Sequence, residues 1–396
     1  MTKRLFLFTL ILITLVGCQT AKPVEYRPGG DGIDSPRNPI RKVDFTFTGD
    51  LLFEQALYDD AENYDFGPYF EGIKPYLVGD FVVANQEVVI GGAELGLSGT
   101  QFIFNAPKEV AFELAKAGFN VLTLSNNHVY DKGFPGVVNT LKYVKEAGLL
   151  PVGLYDNAHD AQQMTILEKN GMKIALLSYT YSINRKPPTE YQFITNVFLT
   201  PKRVFDQERE NKLRADIRKA KAVSDAVIVS IHWGAEFTYN LNTAQRKAVA
   251  VMNEEGVDLV IGNHPHTPQT AEVLTSSTGK RTVVFYSLGN LVSAETDDAR
   301  AEDAFDVMYQ TGILVQASLI KNTLTNTVYT DHIRIIPVVN HFDRGRVNFR
   351  LMPLSAYTEE LASQHAQHQT IPLFTKAFID DQMELLYGDF LNSLNP

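Results

Sequence analysis

The sequence predicts an α/β protein built as a sandwich or layered sheet, and three observations carry that reading. Short apolar runs alternate with helix-like stretches from Val43 onward, the pattern of strands that feed helices. Glycines stand where the helix-like stretches should stop, at Gly118, Gly148 and Gly256, because a left-handed cap costs glycine no Cβ clash. The composition is that of a folded chain: of 396 residues, 44% are hydrophobic and 21% charged, enough to bury a large core.

Taken in order, strands are expected at Val43–Thr48, Phe81–Val89, Val121–Ser125, Ile174–Tyr179, Ala226–His232, Leu259–Gly262 and Thr282–Leu288. Helices are expected at Lys108–Ala117, Pro135–Ala147, Val204–Val223 and Thr243–Glu255. After Asp297 the character changes. Thr311–Leu319 and Thr327–Pro337 read as a β-hairpin turning around Lys321-Asn322, followed by a strand at Arg346–Leu354 and helices near 358–365 and 375–392.

The N-terminus reads differently. Lys3-Arg4, an apolar run over residues 5–16 and Gly17 precede Cys18, the chain's one cysteine. The run is short of the roughly 20 residues that span a bilayer and has the layout of a secretory signal. Leu15-Val16-Gly17-Cys18 resembles a bacterial lipobox, which implies cleavage before Cys18 and its lipidation. Residues 1–17 are thus expected to be a signal peptide. Residues 18–42, rich in proline and glycine, read as a flexible tether. The folded domain is expected at 43–296, and 297–396 as a C-terminal extension of unassigned role. No later run has the length and apolarity of a membrane span, and one cysteine excludes a disulfide framework. Cleavage would remove Lys3 and Arg4 and move the formal charge from −10 to −12, which argues against nucleic acid as a partner.

Chemistry is expected at the C-terminal ends of the strands, where ligand-binding loops gather in layered α/β folds. Five segments end this way: Thr48-Gly49-Asp50; Asn85-Gln86-Glu87; Ser125-Asn126-Asn127-His128 with Asp131 and Gly133; His232-Trp233-Gly234-Ala235-Glu236; and Gly262-Asn263-His264-Pro265-His266. Asp50, Glu87, Asn127, His232, His264 and His266 offer carboxylate, amide and imidazole donors without thiolate, a mixture suited to Mn, Zn or Fe. Gly49 and Gly262 are expected to let the backbone approach the ions. Singly, each has a plainer explanation: a Gly-Asp turn, an edge-strand charge, a core histidine beside Trp233, a capped turn. Four of nine histidines falling at strand ends make the set more specific than its members. Arg185 and Lys186, in a loop ending Pro187-Pro188, are either a solvated charge pair or a contact for an anionic chain. His332 and His341 read as surface or packing residues, and His365 and His368 as a polar helix end.

These segments, together with Ser287-Leu288-Gly289-Asn290, resemble the CapA family of capsule and poly-γ-glutamate biosynthesis proteins, relatives of calcineurin-like metallophosphoesterases. The resemblance runs from about Val43 to Val292. It implies a four-layer αββα metallophosphatase-like sandwich holding one or two divalent metal ions. The implied ligands are Asp50, Glu87, Asn127, His232, His264 and His266, with Glu87 in place of the usual bridging Asp. It also implies that His128 donates a proton to a leaving oxygen, with Asp131, Glu236, Asn85 and Asn290 as auxiliaries. One departure stands out: the first strand carries Asp50-Leu51-Leu52 where metallophosphoesterases have Asp-x-His, so one ligand is missing. The function expected is a lipid-anchored, extracytoplasmic, metal-dependent protein for biosynthesis, export or attachment of an anionic polymer such as poly-γ-glutamate, with membrane lipid and polymer-synthase subunits as partners. The alternatives are a cell-surface phosphoesterase for a phosphodiester or nucleotide, and a non-catalytic scaffold in a synthase complex.

Overall fold

The computed structural model describes residues 39–100, 103–294 and 303–394. Cys18, the expected signal peptide and most of the expected tether lie outside the described residues. In chain order, β1 (Ile40–Leu51) is followed by the short helices α1 (Gln55–Asp60) and α2 (Gly67–Phe70), then by β2 (Phe81–Gln86). A small hairpin, β3 (Ser98–Thr100) and β4 (Ile103–Asn105), leads to α3 (Glu109–Ala117), β5 (Val121–Thr123), α4 (Gly133–Glu146) and β6 (Leu150–Val152). Next come β7 (Ile166–Lys169), β8 (Met172–Thr180), α5 (Gln207–Val223), β9 (Ala226–His232), α6 (Thr243–Glu255) and β10 (Leu259–Asn263). They are followed by β11 (Pro268–Thr275), β12 (Arg281–Leu288), β13 (Asn290–Val292) and α7 (Asp303–Tyr309). The chain finishes with β14 (Thr311–Asn322), β15 (Thr327–Asp343), β16 (Val347–Pro353), α8 (Glu359–Gln364) and α9 (Lys376–Leu394).

The strands form two large sheets, ordered β16-β15-β14-β1-β2-β5-β6, with β13 also on β1, and β11-β12-β10-β9-β8-β7. Alternation in β1 explains its central place. Val43, Phe45 and Phe47 point between the sheets and pack with Ile228, Ile261 and Phe285 of the second sheet. On the outer faces, Val110 and Leu114 of α3 and Val137 and Leu141 of α4 cover the first sheet, while Ile217 of α5 and Met252 of α6 cover the second. The result is the expected four-layer αββα sandwich. Parallel pairing through β1, β2 and β5 and through β8, β9, β10 and β12 brings the C-terminal ends of both strand sets to one rim.

Gly118 and Gly256 adopt the expected left-handed cap conformation. Helix α5 begins later than Val204, at Gln207, because the Asp206 side chain accepts the Arg209 backbone N–H at 3.0 Å and caps the helix there. The hairpin turn also lies further on than Lys321-Asn322. Both residues stay in the ladder, opposite Arg41 and Ile40 of β1, and the chain turns between Asn322 and Thr327, which pair with each other. This hairpin is part of the first sheet: β14 runs antiparallel along almost all of β1. Helix α9 closes the space between the sheets, with Ile379, Met383, Tyr387 and Phe390 in the inter-sheet core and the Phe390 ring edge-on to Phe285. Among the described residues no helix is long and apolar enough to cross a membrane.

The C-terminal histidines divide by burial. His332 is exposed, whereas His341 and His365 are fully buried. His365 stacks on Phe374 at 3.9 Å between ring centroids; its Nδ1 accepts the Gln367 N–H and its Nε2 faces the Asn340 carbonyl. Protonating Nδ1 would set a donor against a donor. Burial pushes His341 down to about 4 and His365 down to about 3. Both values lie below the unfolded value of about 6.5, so this contribution to stability is complete above that pH and is lost as pH falls toward 4. The melting temperature is expected to drop between pH 7 and pH 5, with a shallower slope in His365→Gln; an identical slope in both chains would refute it.

Candidate metal centre

The rim where the two sheets meet is built from the five expected strand ends. Asp50 ends β1, Glu87 follows β2, Asn127 and His128 follow β5, His232 ends β9, and His264 and His266 follow β10. All seven side chains are buried. Two glycines make the approach possible, though not by lying against ions. A Cβ on Gly49 would stand 2.1 Å from the Gly289 carbonyl oxygen, and one on Gly262 would stand 2.0 Å from the Tyr286 carbonyl oxygen and 2.5 Å from the Trp233 indole nitrogen. They let neighbouring backbones and one indole close up. His264 and His266 hold positive φ angles of 100° and 59°, which turn successive imidazoles toward one space at some cost in backbone strain.

Glu87 is the shared member. Its carboxylate oxygen Oε1 lies 3.4 Å from His232 Nε2, 4.0 Å from His266 Nε2 and 4.0 Å from His128 Nε2. Two sets converge closely enough for a cation, Asp50, Glu87 and His232 on one side and Glu87, His264 and His266 on the other. Asp50 accepts the Asn85 amide at 2.7 Å on Oδ1 and the His264 backbone N–H at 2.9 Å on Oδ2. Asn127 Oδ1 lies 2.7 Å from His232 Nε2. His266 Nδ1 lies 3.0 Å from Asn290 Oδ1, and Asn290 donates in turn to the Tyr309 carbonyl, so Nε2 is the nitrogen turned toward Glu87.

Burial dominates the electrostatics. It pushes Asp50 up to about 7, with the Glu87 charge adding to the rise, and pushes Glu87 up to about 8. Burial likewise pushes His232 down to about 4 and His264 well below the usual imidazole range. Both Glu87 oxygens and His264 Nδ1 are out of water and hydrogen-bonded to nothing. Buried acceptors left unspent are rare in folded proteins. A divalent cation would satisfy them and favour the ionised carboxylates, so the donor set fits one.

His128 stands beside this cluster in a different setting. Burial alone would lower its pKa, but the hydrogen bond from Nδ1 to Asp131 Oδ2 at 2.7 Å, with the Glu87 and Asp131 charges, holds it above the ordinary value. Asp131 also accepts the Phe104 backbone N–H at 2.8 Å and so fixes the ring rather than joining either donor set. Glu236 is exposed on the loop after β9; it lies outside both sets, although its charge helps raise Glu87. Leu52, where a histidine is missing, is buried in the apolar core of the first sheet.

The end of β8 also contributes, which the sequence reading did not foresee. The Tyr181 ring lies 4.4 Å from that of His264, and the Arg203 guanidinium stands 5.1 Å over Tyr181. Asn184 Nδ2 approaches His128 Nε2 at 3.4 Å, and Arg185 donates to the Asp131 carbonyl. The signal available was positional: Ile174–Tyr179 was an expected strand whose C-terminal end belongs to the same rim.

The chain is similar in sequence to bacterial capsule synthesis proteins. Residues 44–295 match the family model described as bacterial capsule synthesis protein PGA_cap. The chain is 30% identical over 255 residues to a capsule biosynthesis protein CapA of Bacillus anthracis, covering 63% of this chain and 60% of that one. It is 28% identical over 256 residues to a PGA biosynthesis protein CapA of Bacillus subtilis, covering 62% of each. The match thus spans about three-fifths of these relatives' length. A solved structure described as a novel phosphatase from Mycoplasma pneumoniae aligns at 17% identity with a TM-score of 0.46, covering 76% of this chain and 94% of that chain.

The electrostatics carry a test. Without a cation, Asp50 and Glu87 hold protons up to about pH 7 and about pH 8, and a cation must displace them. His232, already neutral above about 4, adds nothing to the slope. Affinity for Mn²⁺ or Zn²⁺ is expected to fall between pH 8 and pH 6, by about tenfold per pH unit for each proton displaced. Calorimetric titration at the two pH values measures it; equal affinities would exclude the carboxylates as ligands.

Proposed function

Since the chain belongs to the PGA_cap family of bacterial capsule synthesis proteins, we propose that it is a lipid-anchored, extracytoplasmic, metal-dependent protein that acts on an anionic capsule polymer such as poly-γ-glutamate. The observation that carries the metal half is the buried Glu87 carboxylate, shared by two donor sets with neither oxygen hydrogen-bonded. Asp50, Glu87, His232, His264 and His266 would hold a divalent cation, which would supply Lewis acidity there.

The chain's own residues would divide the remaining work. Asp50 and Glu87 provide negative charge inside a water-poor rim. Asn85 and the His264 backbone N–H orient Asp50, and Asn290 orients His266. His128, with Nδ1 on Asp131, presents Nε2 toward Glu87. There Asp131 and Glu87 favour its protonated form, and it can pass that proton to a departing oxygen. A general phosphoesterase is the weaker reading, because the buried Leu52 removes one donor that such chemistry normally uses.

The anchor half rests on Cys18 behind Leu15-Val16-Gly17. Ile40 and Asp50 lie at opposite ends of β1, roughly 33 Å apart at ordinary strand rise. An anchored chain would therefore enter the fold at the end of β1 remote from the cluster, leaving the rim free to meet polymer.

Two experiments test the proposal. In a polymer-producing strain lacking its own homologue, the wild-type chain is expected to restore surface polymer. Asp50→Ala should restore at most about a tenth as much and lose its metal by elemental assay while keeping its melting curve; full restoration by the metal-free variant would refute metal dependence. His128→Ala should keep the metal and lose polymer, and undiminished polymer would remove the acid role. Separately, Cys18→Ser is expected to move the chain from the membrane fraction to the soluble extracytoplasmic fraction, and unchanged membrane association would refute the lipid anchor.

A further inference from the structure

A second concavity lies beside the metal cluster, between the C-terminal half of β8, helix α5 and the connection from Tyr181 to Pro201. Its volume is about 1120 Å³. Lys186, Arg209, Lys212 and Lys219 line it against one acid, Asp216. Asp216 is already answered, by Lys212 at 2.6 Å and by the Tyr179 hydroxyl at 3.0 Å. Lys186, Arg209 and Lys219 make no ion pair among the described residues. In a chain of formal charge −10, a concavity with three unanswered cations is a local reversal of sign. Arg209 adds a sharper observation: its Nε–H is out of water and has no acceptor, which costs free energy until an acceptor arrives. Tyr179, Tyr181 and Phe193 add aromatic lining to the same cavity.

The connection that walls this cavity also touches the cluster. Tyr181, Ser182, Ile183 and Lys186 line the cavity, while Asn184 contacts His128 and Arg185 holds Asp131. One short segment therefore faces both.

We propose that this cavity is a binding subsite for a polycarboxylate chain, held by Lys186, Arg209 and Lys219 along the aromatic lining, beside the metal cluster. Carboxylates answer the spare cations, and Arg209 offers them a charge-assisted hydrogen bond. The methylene spacing between successive carboxylates suits tyrosine and phenylalanine faces. The identity of the ligand rests on the polymer reading above; the cavity, its charge and its orphan donor do not.

The test is fluorescence anisotropy of the full-length chain with a labelled γ-linked decaglutamate. The wild type is expected to bind, and to bind several-fold more weakly at 200 mM salt than at 50 mM, as charge pairing requires. Arg209→Gln with Lys219→Gln should weaken binding tenfold or more. Lys219→Glu alone, an exposed position not expected to disturb folding, should weaken it about threefold or more with an unchanged melting curve. Failure of the wild type to bind, or equal binding by all three chains, would overturn the proposal. So would displacement by a length-matched polyphosphate at equal concentration, which would mark a general anion site. Loss of binding in Asp50→Asn but not in the cavity variants would place the polymer at the cluster, overturning the subsite while leaving the proposed function intact. That function fails separately, if the wild type restores no polymer in cells.

Discussion

Asp50 and Glu87 carry two carboxyl groups to a place from which water is excluded, and much of the surrounding architecture answers that fact. Two buried like charges cannot both stay ionised without compensation, so their neighbours are chosen to be acceptors, donors or neutral imidazoles. Asn85 and a backbone N–H satisfy Asp50. Glu87 is left with both oxygens unspent, facing three imidazole nitrogens within 4.0 Å. That arrangement needs ends from both sheets at one rim, which parallel strands supply, and it needs backbones closer than a Cβ allows, which Gly49 and Gly262 supply.

The same constraint accounts for the different character of His128. The cluster histidines His232 and His264 lose their protons to burial, whereas His128, also buried, keeps its basicity because Asp131 is hydrogen-bonded to its ring. Asp131 is in turn held by the Phe104 N–H, and its own carbonyl by Arg185. An imidazole of raised basicity and two of lowered basicity thus sit side by side, set apart by their partners. The connection after β8 touches both this group and the neighbouring basic cavity.

Among the described residues, the C-terminal hundred bear on the site without joining either donor set. β14 pairs with β1 from Ile40 to Thr48, just short of Asp50, and α9 seals the apolar space between the sheets. The Tyr309 carbonyl, just ahead of β14, accepts from Asn290 and so supports His266. These contacts were not legible in sequence. β14 looks like half of a hairpin, and nothing in its alternation names β1 as its second neighbour, because strand pairing between residues some 270 apart leaves no local pattern.

What the sequence determined by itself is whatever depends on neighbours along the chain. Short apolar runs marked the strands, Gly118 and Gly256 the helix ends, and polar residues just past apolar runs marked Asp50, Glu87, Asn127, His232, His264 and His266 as a convergent set. Tertiary structure decided which of them share a cation-sized space, and that Asp131 serves His128 while Glu236 stays exposed. It also decided that the two glycines admit backbone and indole rather than ions, and that the end of β8 belongs to the rim. These depend on distances between segments separated by tens to hundreds of residues. Burial, which moves the carboxylates up and the imidazoles down, exists only once both sheets have closed over them.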